Sequence, residues 1–193
     1  SRSSERPRVA PLTPFVAREG IGDCGQLVPG PPWILGHRGA ALEAPENTIA
    51  ALRRAVELGL DGAAYDLRAC ASGDLVLLAD SGLERTTDGH GPLALRTLPE
   101  LYGLDAGGWF GKAFHGEPLA LLDEALALEG NRAGTWPQHL VLLREPGLVT
   151  EVARVLSGRG RHLSVRVAAP SREACRNARD LGLEAMLVVH AAG

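Results

Sequence analysis

The chain has 193 residues, 45% of them apolar, and a formal net charge of -3. That length and composition suit one domain with a true core and exclude a disordered chain. The mild, mixed charge lacks the basic footprint of a nucleic-acid binder, and no run of about 18 apolar residues marks a membrane span.

Residues 1–32 are rich in Pro, Gly, Arg and Ser, with a short apolar patch at Pro14, Phe15 and Val16. They lack the apolar core of a signal peptide and are predicted to be a leader or linker. The folded domain is predicted to span residues 33–193. Trp33–Gly36 is expected to be a buried strand. Thr48–Leu58 puts Ile49, Leu52 and Val56 on one helical face, with Asn47 as N-cap and Gly59 as the stop. Gly62–Leu67 and Leu75–Leu78 read as the second and third strands. Thr97 to Glu100 is a capping-box pattern opening a short helix. Helices are predicted over Leu121–Leu128, Leu148–Leu156 and Ser171–Leu181. Strands are predicted over Leu140–Leu143, Leu163–Val167 and Met186–Val189. Cys24, Cys70 and Cys175 stand far apart without a CxxC pair and read as ordinary thiols.

Strands alternating with helices predict an α/β fold with a parallel sheet and right-handed crossovers. An open sheet and a barrel both satisfy that pattern. No GxGxxG follows the first strand, so a dinucleotide fold gains no support. Six strands are counted where a closed barrel needs eight, and a typical barrel runs to about 250 residues. The chain is therefore about two βα units short.

Chemistry concentrates where strands end. His37 and Arg38 close the first strand: a histidine can move a proton near neutral pH, and an arginine can grip a phosphate oxygen. Glu46 follows one short loop later and can hold either. Alternation puts Ala64 and Asp66 on one face of the second strand, and Leu142 and Arg144 on one face of the fourth. Asp66 and Asp80 are the carboxylates available to a divalent cation.

The segment from Trp33 to about Glu124 resembles the glycerophosphodiester phosphodiesterase family, a TIM barrel related to phosphatidylinositol-cleaving phospholipases. The matching stretches are HRGAALEAPENTIAALRRAVELGLDG, LERTTDGHG, LPELYGLDAGGWFG and LLDEAL. The resemblance implies hydrolysis of glycerophosphodiesters to glycerol 3-phosphate and an alcohol. It also implies two histidines as acid and base, and a Ca2+ or Mg2+ ion held by carboxylates. The first histidine maps onto His37 and the phosphate-binding arginine onto Arg38. Pro-Glu-Asn-Thr maps onto Pro45 to Thr48, with Glu46, Asn47 and Asp80 in supporting places. The Glu-x-Asp pair maps onto Ala64 and Asp66, leaving Asp66 alone at the metal position. The His-Asp pair maps onto Ala79 and Asp80, so the second histidine is replaced. Glu-x-Lys maps onto Leu142 and Arg144, with arginine in place of lysine. Trp109 is expected in the pocket wall. Hydrolysis is expected to be impaired or lost. The alternative is a pseudoenzyme that binds a polyol phosphate or another small anion through His37, Arg38 and Arg144. The expected partner is a small glycerophosphodiester or anionic ligand. The expected setting is a soluble domain, cytoplasmic or the outer part of a longer membrane-anchored protein.

Overall fold

The computed structural model describes residues 33–128, 138–159 and 164–188. A parallel sheet runs through it in the order β1 (Leu35–His37), β2 (Gly62–Ala69), β4 (Gln138–Leu143), β5 (Ser164–Ala169) and β6 (Glu184–Leu187). Helices α1 (Ile49–Glu57), α2 (Leu98–Leu101), α3 (Leu122–Leu126), α4 (Leu148–Ser157) and α5 (Arg172–Asp180) fill the connections. The α/β expectation is met. The predicted leader over residues 1–32, Cys24, and the strand ends Leu163 and Val189 lie outside the described residues. No helix among the described residues is long and apolar enough to cross a membrane.

One strand departs from the parallel reading. β3 (Leu75–Leu77) pairs antiparallel with β2, with Leu67 opposite Leu77 and Ala69 opposite Leu75. The reason is chain length: only residues 70–74 separate the two strands, and a parallel return needs a dozen or more. The link is a tight turn in which Gly73 N–H donates to the Cys70 carbonyl at 3.0 Å, with Gly73 at φ 85°. The parallel sheet therefore has five strands, and β3 is a hairpin arm on β2.

The two sheet faces differ. Ala63, Tyr65, Leu67, Val141, Leu143, Val167 and Ala169 pack against Leu52 of α1, Leu122 and Leu126 of α3, Val152 of α4 and Cys175 of α5. Strand alternation sends Ala64, Leu140 and Ala168 to the other face, with Leu35, Leu142 and Met186 against them. That inner face carries the candidate site at its carboxyl end. At Gly62 the strands approach so closely that a Cβ would run into the Gln138 backbone.

The α1 cap differs from expectation. Thr48 is the N-cap: its Oγ1 accepts from Ala51 N–H at 3.2 Å and donates to the Pro45 carbonyl at 2.7 Å. Asn47 also suits a cap, but its side chain is committed to Asp66. Ser171 caps α5 as predicted, accepting from Ala174 N–H at 3.1 Å. The Thr97 capping box forms as well, with Thr97 N–H donating to Glu100 Oε2 at 2.7 Å.

A buried histidine makes the core acid-sensitive. His139 on β4 is 4% exposed; its Nδ1 meets the Tyr65 hydroxyl at 3.3 Å and its Nε2 has no partner among the described residues. Burial, and then the charge of Arg159, push its pKa down to about 4. The unfolded chain takes up the same proton near pH ~6.5. Between those values the unfolded state holds more protons, so stability falls as pH drops from ~6.5 towards ~4. The full loss is about 3 kcal/mol, complete at the folded value. Urea melts across that range should show the decline, and His139→Leu should flatten it.

Candidate functional site

β1 ends at His37, and the chain turns sharply onto the inner rim. Arg38 and Asn47 are the two non-glycine residues with positive φ among those described, at 56° and 59°. Each such conformation costs of order 1 kcal/mol and must be held by its surroundings. Arg38 N–H donates to the Ala64 carbonyl at 2.6 Å, and Asn47 N–H to the Arg38 carbonyl at 3.0 Å. Gly39 follows at φ 79°, where a Cβ would strike the Ala51 backbone of α1. The turn thus fixes the directions of Arg38 and Asn47.

Both point at Asp66, which is fully buried. Arg38 Nε stands 2.9 Å from Asp66 Oδ2, and Asn47 Nδ2 donates to the same oxygen at 3.1 Å. Asn47 Oδ1 in return accepts from Asp66 N–H at 3.1 Å. Arg144, just beyond β4, brings Nη2 to 2.5 Å from Asp66 Oδ1. Asp66 Oδ1 and Arg144 Nε have no hydrogen bond in this arrangement, so charge rather than hydrogen-bond alignment holds that pair.

The network runs outward. Arg38 Nη1 donates to Glu46 Oε1 at 2.8 Å. Arg85 Nη2 reaches the same oxygen at 2.6 Å, and Arg85 Nε pairs with Asp80. The order is therefore Arg144, Asp66, Arg38, Glu46, Arg85, Asp80: three guanidinium groups alternating with three carboxylates. Glu46 titrates below the usual carboxylate range because the Arg85 bond and the Arg38 charge outweigh its partial burial. Asp80 is lowered mainly by its bond to Arg85.

His37 sits exposed at the mouth, level with Ala64 in the β1–β2 register. Partial burial and the Arg38 charge lower its pKa, against opposing pulls from Asp66 and Glu46. Its imidazole is therefore neutral at physiological pH and able to accept a proton.

The positions that depart from the family pattern fall around this cluster. Leu142 is the register partner of Asp66 on β4, and Ala64 lies two residues earlier on the same face. Ala79 is 6% exposed, and its carbonyl accepts from Arg68 Nε at 3.0 Å. Glu145, next to Arg144, pairs with Arg68 Nη1 at 2.6 Å and does not join Asp66. Trp109 is half exposed; its indole N–H donates to the Ala106 carbonyl at 2.9 Å, and its ring meets Phe110 edge-on. None of these contacts reaches the Asp66 cluster.

Arg85 is the participant that residue patterns passed over. It lies in the matched LERTTDGHG stretch, but its link to Glu46 crosses 39 positions and is set by tertiary packing. Lone arginines next to an acidic residue carry no such signal.

A curated glycerophosphodiester phosphodiesterase from Caldanaerobacter subterraneus is 43% identical over 99 residues, covering 51% of this chain and 41% of the relative. The crystal structure of a glycerophosphodiester phosphodiesterase from Agrobacterium tumefaciens aligns with TM-score 0.62 and 33% identity, over 76% of this chain and 61% of that one. A phosphodiesterase of Oleispira antarctica, solved in complex with the product sn-glycerol-3-phosphate, aligns with TM-score 0.70 and 30% identity, over 78% and 62%. The chain thus spans less than two thirds of the length of each. The profile of the glycerophosphoryl diester phosphodiesterase family matches residues 37–172, the stretch that runs from the β1 turn past Asp66 and Arg144 into α5. With most of the described fold and the whole charged rim inside that match, the chain belongs to the glycerophosphoryl diester phosphodiesterase family.

Proposed function

We propose that this chain is a phosphodiesterase-fold domain whose hydrolysis of glycerophosphodiesters is impaired or lost. The observation that carries the reading is that His37 is the one imidazole at the rim among the described residues. His139 is buried among the Tyr65 side of the core, and His115 is exposed near Asp105. The position expected to supply the second histidine, 79, is a methyl group. His37 can take a proton from an attacking hydroxyl or water. The leaving alkoxide then lacks a positioned acid, and a missing acid or base costs roughly 10²- to 10⁴-fold. Nor do the residues fit the Ca2+ or Mg2+ ion that the family implies, because both Asp66 oxygens face cationic or amide donors. No step is routed through a metal.

A second reading is a binding module for a small phosphate or polyol-phosphate anion. It is favoured by Arg38 and Arg144, which keep 23% and 29% side-chain exposure beside the exposed His37. The complex of the Oleispira relative with sn-glycerol-3-phosphate makes that product the natural probe. The purified chain should release little glycerol 3-phosphate from glycerophosphocholine with calcium or magnesium present, at a rate indistinguishable from His37→Ala. Metal-dependent turnover well above that control would reject impaired hydrolysis. Saturable binding of sn-glycerol 3-phosphate, weakened by Arg38→Ala, would favour the module.

A further inference from the structure

We infer that the Arg144 guanidinium stands in for the divalent cation beside Asp66, so that this chain holds its rim together without calcium or magnesium. The inference rests on the family reading of Asp66 as a metal-facing carboxylate. It goes further in naming what has taken the ion's place.

A carboxylate offers about four lone-pair positions. On Asp66, Oδ2 faces Arg38 Nε at 2.9 Å and Asn47 Nδ2 at 3.1 Å, and Oδ1 faces Arg144 Nη2 at 2.5 Å. Protein calcium–oxygen distances are about 2.3–2.6 Å. An ion bonded to Oδ1 would therefore compete for the place of Arg144 Nη2. It would also sit beside the Arg38 charge.

The surroundings offer little in return. Calcium takes about six to eight oxygens and magnesium about six. The neighbours on the strand face are Ala64, Leu140 and Leu142, in one apolar cluster with Ala168. The next carboxylates, Glu46 and Asp80, are engaged by Arg38 and Arg85. Among the described residues, no group of three or more His, Cys, Asp or Glu side chains is placed to hold an ion.

Charge balance points the same way. Three guanidinium groups and three carboxylates alternate along the rim, so an added dication would stand uncompensated in a partly buried place. Arginine suits the role: its charge does not titrate away, and its fork reaches a carboxylate while keeping other donors free. Two changes at one strand end thus complement each other. Leu142 brings no carboxylate, and Arg144 brings the positive charge that such a carboxylate would have helped to bind.

Titration calorimetry of the EDTA-treated, metal-free chain with calcium chloride tests this. At about 1 mM calcium, the weak end of protein calcium sites, we expect no saturable heat and no rise in the melting midpoint. The folded Leu142→Glu/Arg144→Lys variant should gain a calcium-dependent rise in midpoint that Asp66→Asn abolishes. Saturable binding to the wild-type chain that Asp66→Asn removes would overturn the inference. So would a double variant that melts cooperatively and ignores calcium. Should the double variant not fold, the wild-type titration decides alone. The two proposals fail separately: turnover in EDTA would refute impaired hydrolysis and leave this inference standing, whereas Asp66-dependent calcium binding without turnover would do the reverse.

Discussion

Asp66→Ala is expected to be the most destabilising single change at the rim, costing about 3 kcal/mol. The carboxylate is fully buried and answers two guanidinium groups and one amide. Removing it leaves Arg38 and Arg144 facing each other with no anion between them. Breaking a buried pair from one side typically costs about 3–5 kcal/mol. The low end applies because both arginines retain some contact with water, 23% and 29% of their side chains. Asn47 would lose its acceptor too, and with it part of what holds its positive φ. Urea unfolding of Asp66→Ala and wild type measures the difference. Equal midpoints would mean that the Asp66 pairs contribute nothing net to the fold.

Rebuilding the active site is expected to need the β4 positions as well as the two alanines. Ala64→Glu with Ala79→His supplies a carboxylate and an acid. Arg144 still holds Asp66 Oδ1 in that variant, so calcium-dependent turnover should stay near the wild-type level. Adding Leu142→Glu and Arg144→Lys frees Asp66 and gives it a register partner with oxygens. Glycerol 3-phosphate release should then rise by at least ~10²-fold and vanish in EDTA. A fourfold variant that melts cooperatively without gaining activity would place the deficiency outside these four positions. A comparable gain from the two alanine changes alone would remove Arg144 from the explanation.

Much of this was legible in the residues. Period-two alternation put Asp66 with Ala64 and Arg144 with Leu142, and the β2–β4 register duly sets Leu142 beside Asp66. Glycines and cap residues marked α1 and α5 to within a residue or two. The cap of α1 was misplaced by one because Asn and Thr cap about equally well, and only the tertiary demand of Asp66 decides between them. The direction of β3 was missed although the short link to β2 encodes it; an apolar run gives a strand and no direction. Arg85 and the full alternation of rim charges were beyond reach. Ion pairs between distant segments depend on how loops pack, and no local pattern carries that information.

The antiparallel arm has a consequence for which rim positions tolerate drift. β2 is flanked on both sides, by β1 and β4, and Asp66 at its end anchors ion pairs from two other segments. Ala79 follows a short flap tied to β2 through residues 67–69 and to Leu121 by a single bridge. Its own recorded tie to the rim is a carbonyl, which every amino acid possesses. A side chain at 79 can therefore be exchanged while the architecture stays sound, whereas the anchor at 66 cannot be given up without loosening several segments together. In such a scaffold the chemistry is the easier part to lose.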